Sequence, residues 1–104
     1  MVADEIRFDW DEANIGHIAR HDVTQEEAQQ ALANERLELG ARYVGGEERF
    51  LSVGHTNGGR WLMVASTERG ERIRVITAYD ADERYIELYL RSKGESDESA
   101  DSKF

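Results

Sequence analysis

RFLSVGHTNGGRWLMVASTERGERIRVITA, residues 49–78, decides the fold class. Three runs rich in β-branched, aromatic and aliphatic residues, at 49–55, 60–67 and 72–78, are separated by Thr56-Asn57-Gly58-Gly59 and by a turn around Arg69-Gly70. Runs of this length bounded by Gly and Asn are strands joined by short turns, and Asn-Gly supplies the positive φ angles that a tight hairpin needs. The stretch is therefore an antiparallel meander. Just upstream, Leu37, Leu39 and Tyr43 lie in a run that ends at Gly45-Gly46, which adds a fourth strand.

Towards the amino terminus, Ile6 and Phe8 alternate with Arg7 and Asp9 as a short first strand, and the period then becomes helical. Asp11 is placed as an N-cap before a helix whose apolar stripe is Ile15, Ile18 and Ala19 and which ends near His21 and Asp22. Thr24 and Glu27 form a capping box for a second helix, buried on Ala28, Ala31 and Leu32 and ending around Asn34. After the meander, Asp80 is positioned to cap a last helix with Tyr85, Leu88 and Tyr89 on one side. The expectation is a single α+β domain, β-α-α-β-β-β-β-α, with an antiparallel meander packed against helices. It covers residues 1–93, and GESDESADSKF, residues 94–104, is expected to be a disordered acidic tail.

At 104 residues the chain can bury roughly two-thirds of its unfolded surface in one thin core. It contains no cysteine, which excludes disulfides and thiolate metal sites. No run approaches the roughly 20 apolar residues of a membrane span, and MVADEIRFDW lacks the pattern of a secretion signal, so a cytoplasmic location is expected. The net charge of −9 argues against binding a polyanion, but the charge is uneven. Residues 1–48 hold 12 acidic and 4 basic side chains, whereas residues 49–79 hold 5 arginines against 2 glutamates. The middle block is the only cationic one.

Within that block Arg72 and Arg74, two apart on a strand, share a face and can fork around phosphate oxygens; the other reading is ion pairing with glutamates across the sheet. His21 at the end of the first helix offers an imidazole for proton transfer near neutral pH, or a C-terminal helix residue bonded to the last carbonyls. Metal-free cleavage of a phosphodiester needs these residue types: a base, an acid, and cations where charge accumulates. His17 and His21 have the i, i+4 spacing of a metal pair, but neither the glutamate of His-Glu-x-x-His nor a third ligand accompanies them, so no metal is expected. His55, beside the hairpin, reads as a surface residue, and Trp10 and Trp61 read as core.

FDWDEANIGHIARHDVTQEEA (residues 8–28), GEERFLSVGHT (46–56) and ERGERIRVITA (68–78), in this order and separation, resemble the BrnT family of ribonuclease toxins from type II toxin–antitoxin pairs. The resemblance covers residues 6 to 89. It implies a RelE-like fold, endoribonuclease activity without a metal or other cofactor, neutralisation by a cognate antitoxin, and contact with DNA only through that antitoxin. On this reading His21, Arg72, Arg74 and Tyr79 are the candidate catalytic residues, and Arg49 and Arg69 the substrate-binding ones. The chain departs from the family pattern at three places. Ala78 is followed by Tyr79 where relatives usually carry arginine, no lysine follows Trp10-Asp11, and Asp22 stands where glycine is common. Tyrosine can donate a hydrogen bond but lacks a fixed positive charge. A second reading is therefore a weak or inactive relative that serves as a protein-binding module, its acidic helices engaging a basic partner.

Overall fold

The computed structural model describes residues 6–101. In chain order the elements are β1 (Arg7–Phe8), α1 (Glu12–Ala19), α2 (Gln25–Ala33), β2 (Leu37–Val44), β3 (Glu47–His55), β4 (Trp61–Arg69), β5 (Arg72–Asp80) and α3 (Glu83–Asp101). They form one α+β domain around a five-stranded sheet of order β1-β5-β4-β3-β2. The last four strands are the antiparallel meander. The sheet as a whole is mixed, which corrects the purely antiparallel expectation: β1 runs parallel to β5, with Arg7 opposite Arg72 and Phe8 opposite Ile73. A two-residue strand carries no period from which its neighbour could be read, and this neighbour lies at the other end of the chain.

Local chemistry sets the two short helices. The Asp11 carboxylate accepts the backbone N–H groups of Ala13 and Asn14 while the Asn14 side chain accepts the N–H of Asp11, and Thr24 and Glu27 make the same reciprocal arrangement before α2. α1 and α2 lie on one face of the sheet, where Ile18, Ala28, Ala31 and Leu32 meet Leu62, Val64, Val75 and Ala78; Trp10 packs at the margin. Gly54 belongs to this contact, because a Cβ there would overlap the Ala31 carbonyl. The opposite face is only partly covered. There α3 brings Tyr85 and Tyr89 against Val53, Met63, Leu37, Leu39, Leu51 and Trp61, and the rest of the face is open.

Several boundaries differ from the expectation. Asp80 does not cap α3; it remains in β5 opposite Leu62 and accepts Arg60, while the last helix begins three residues later. Leu88 is 42% exposed, because Tyr85 and Tyr89, one turn apart, carry the contact with the sheet. The β3–β4 turn places positive φ on Gly59 (92°) rather than on Asn57 or Gly58, and Gly59 N–H and Thr56 N–H close a wider loop on Thr56 and Arg60 carbonyls. His55 is half-buried rather than on the surface, its ring edge-on to Trp61 and Tyr89. α3 continues past Gly94, where the acidic tail was expected to start; residues 102–104 of that stretch lie outside the described residues.

The Gly54 contact gives a direct test of this packing. Gly54→Ala must push α2 off β3, so urea unfolding should report a loss of about 1–3 kcal/mol, the usual range for overpacking. Gly16→Ala, where a Cβ meets nothing within 4 Å, should not lose stability.

Candidate active site

Residues opposite one another on neighbouring strands point to the same face. Arg42 on β2 lies opposite Arg49 on β3, Arg49 opposite Thr67 on β4, and Thr67 opposite Arg74 on β5. One row across the open face thus holds three guanidinium groups. The next row outward pairs Arg69 with Arg72 and Arg72 with Arg7. Six arginines, contributed by all five strands, therefore share the face that α1 and α2 leave free.

Three carboxylates offset part of this charge. Glu47 reaches Arg49 at 3.4 Å and Arg69 at 3.3 Å. Arg74, with 14% of its side chain exposed, is held by Asp11 at 3.1 Å and Asp9 at 3.8 Å. The hydrogen bond from Arg74, followed by the backbone N–H of Asn14, holds the Asp11 carboxyl below the usual carboxylate range. Arg7, Arg42 and Arg72 have no ion pair among the described residues. The two arginines read from sequence as an equivalent fork thus differ: Arg74 is anchored and Arg72 is free.

β5 carries one more residue than its partner needs. Ala65 lies opposite Thr77 and Ser66 opposite Val75, leaving Ile76 as a bulge. An odd separation along a regular strand would send Arg74 and Tyr79 to opposite faces; the extra residue brings them to the same one. Val75 and Ala78 accordingly both enter the core under the helices, while Tyr79 lies opposite Met63 on the arginine face. β2 repeats the device, with its register shifting between Glu38 and Gly40 so that Leu39 and Arg42 face the same way.

β1 is too short to cover all of β5, and α1 takes over where it stops. The Asn14 side chain, 4% exposed, donates to the carbonyls of Val75 and Asp9 at 3.1 and 3.0 Å. This brings the end of α1 alongside the last residues of β5. His21 follows in the turn, its ring 5.8 Å from that of Tyr79 and 6.1 Å from that of His17. The turn closes on Asp22 at φ 60°, a conformation that glycine, the residue the resemblance leads one to expect, adopts freely. Arg60 fastens it: Nη1 donates to the Asp22 carbonyl at 2.7 Å and to Glu27 at 3.0 Å, and Nε donates to Asp80 at 2.8 Å.

The residues expected to act together therefore occupy two stations. Arg49, Arg69, Arg72 and Arg74 form the cationic one, and His21 and Tyr79 form the other, four residues of β4 farther along the ladder from Arg74 and about 13 Å away. A groove of about 550 Å³ runs between them and touches one residue of each, Arg49 and Tyr79, with Arg42, Leu51, Ala65 and Thr77 among the other residues that line it. The two stations offer cations for phosphate oxygens and an imidazole–phenol pair for proton transfer. Among the described residues no three His, Cys, Asp or Glu side chains gather as metal ligands. Sequence reasoning missed Arg7, Arg42, Asn14 and Arg60. The first two lie outside the cationic block and join it only through register, and the last two act through contacts between distant segments.

The Asp11–Arg74 pair has a definite pH signature. A carboxyl held low in the folded state stabilises it above the unfolded value of about 3.9, and that contribution is lost as pH falls through the lowered folded value. Asp11→Asn keeps an N-cap side chain and removes the charge. Melting temperatures should be lower for the variant at pH 7, and the gap to the parent should close as pH is lowered below about 4.

A family model described as "Ribonuclease toxin, BrnT, of type II toxin-antitoxin system" matches residues 10–84, from the Trp10-Asp11 helix start through the meander to the first turn of α3. No curated protein matches the chain. No helix among the described residues is long and apolar enough to cross a membrane. With the match spanning most of the chain and both stations of the groove, the chain belongs to the BrnT family of ribonuclease toxins of type II toxin–antitoxin systems.

Proposed function

We propose that the chain is a metal-independent endoribonuclease, RelE-like in its scaffold, acting in the cytoplasm and neutralised by a cognate antitoxin through which alone it meets DNA. The observation that carries the catalytic reading is the face of six arginines on a chain of net charge −9. An acidic protein gains nothing for folding by collecting like charges on one open surface, whereas a polyanion would be drawn to that surface alone.

The two stations divide the work. Arg72, with Arg69 beside it and Arg74 anchored behind, holds phosphates flanking the scissile bond, and Arg49 binds the substrate from the groove. The scissile phosphate itself lies at the His21–Tyr79 end. There one of the pair takes the proton of the ribose 2′-hydroxyl as its oxygen attacks phosphorus, the P–O5′ bond breaks, and the other protonates the departing oxygen. Tyr79 replaces the fixed cation of relatives with a group that can donate a proton, so the cationic duty falls to the arginine rows. The toxin half of a type II pair implies an antitoxin partner. The acidic helices on the opposite side suit a basic chain, whose encounter they would accelerate.

The test is cleavage of a generic RNA by the purified protein in EDTA. His21→Ala should slow cleavage about 100-fold or more. Arg72→Ala and Arg74→Ala should each lower it at least about tenfold, with melting curves showing that the variants are folded. Cleavage undiminished in Arg74→Ala would remove the site assignment, and cleavage abolished by EDTA would remove the metal-free mechanism.

A further inference from the structure

The groove between the two stations has a feature that phosphate binding alone does not use. Arg49 Nε is buried without a hydrogen-bond partner, the one such side-chain nitrogen or oxygen among the described residues. A guanidinium presents five donors in a rigid fork, and here only Nη2 is engaged, at 3.4 Å from Glu47. Nε itself is closed to solvent, but the Arg49 side chain is 35% exposed, so the remaining N–H groups of Nη1 and Nη2 are the donors a ligand acceptor can meet. The surroundings limit what that ligand can be. Leu51 and Ala65 give the groove an apolar floor, Thr77 adds a hydroxyl, and Tyr79, 37% exposed, supplies an aromatic wall at its far end. The volume of about 550 Å³ falls among small-ligand clefts, roughly 300–1,000 Å³, the size class of one nucleotide.

We infer that this groove is a base pocket, so that the arginine face takes unpaired RNA, with one base splayed into the groove and Arg49 donating to the acceptor edge of that base. The inference rests on the reading of the chain as an RNA-binding ribonuclease and names the form of its substrate. An apolar floor with an aromatic wall between rows of cations fits a flipped-out base whose neighbouring phosphates stay on the rim. A duplex cannot use it, since its bases are stacked inward and the major groove of A-form RNA is too deep and narrow for side chains to read. Duplex RNA would touch only the outer arginines, Arg7, Arg69 and Arg72.

The experiment uses the full chain and a fluorescent 2′-O-methyl oligonucleotide, which has no free 2′-hydroxyl and cannot be cleaved. Anisotropy titrations compare the single strand with the same strand annealed to its complement, at one salt concentration. The single strand should bind about tenfold or more tightly. Arg49→Gln should remove most of that preference while leaving duplex binding unchanged, and Arg49→Lys, which keeps the charge but not the fork, should do the same. Arg7→Gln should weaken both forms by one similar factor. Equal affinity for the two forms, binding of neither, or a full preference retained by both Arg49 variants would overturn the inference. Because the oligonucleotide reports binding alone, a failure of the cleavage experiment leaves this measurement readable, and the reverse also holds.

Discussion

Ile76, the residue of β5 without a partner in β4, sets the phase on which the whole site depends. Before it, Ile73 and Val75 face the helices and Arg72 and Arg74 face outward. After it, Ala78 rather than Thr77 turns inward, which places Tyr79 on the arginine side. A regular strand would offer only one of two outcomes, a continuous core under α1 or a continuous functional face. The bulge permits both, because it inserts a half-period where the strand passes from its pairing with β1 to its docking against α1.

That docking rests on a few polar contacts. Where β1 ends, the outward backbone groups of β5 would be an unpaired sheet edge, a surface prone to pairing with other chains. Asn14 supplies a side-chain donor to the Val75 carbonyl and so ties α1 to the edge. Arg60 does the same for the following turn, linking the Asp22 carbonyl, Glu27 and Asp80. His21 has a defined position beside Tyr79 because the turn that carries it is fastened from the sheet.

The electrostatic arrangement follows the same division. Six guanidinium groups gather on the sheet face that α1 and α2 leave free, while those two helices carry Glu12, Glu26 and Glu27 on the other side. Glu47, Asp9 and Asp11 relieve repulsion among Arg49, Arg69 and Arg74, and Arg72, Arg42 and Arg7 at the rim have no ion pair among the described residues. Inner pairs fix geometry, since an arginine between two carboxylates is held in one orientation. Rim charges stay available to a ligand and are sensitive to salt.

Local signals were legible within a turn of helix or a few residues of strand. The N-cap at Asp11 and the capping box at Thr24–Glu27, the alternation that makes residues 72–78 a strand, and the core roles of Ile18, Leu32 and Trp61 are fixed by neighbours close in sequence. Arg72 and Arg74 sharing a face also follows from the strand period alone. The pairing of β1 with β5, the addition of Arg42 and Arg7 to the cationic face, the anchoring of Arg74 by Asp9 and Asp11, and the meeting of His21 with Tyr79 were decided by tertiary structure. Each depends on a register or a bulge, which arises when distant segments pack and no residue can specify it on its own.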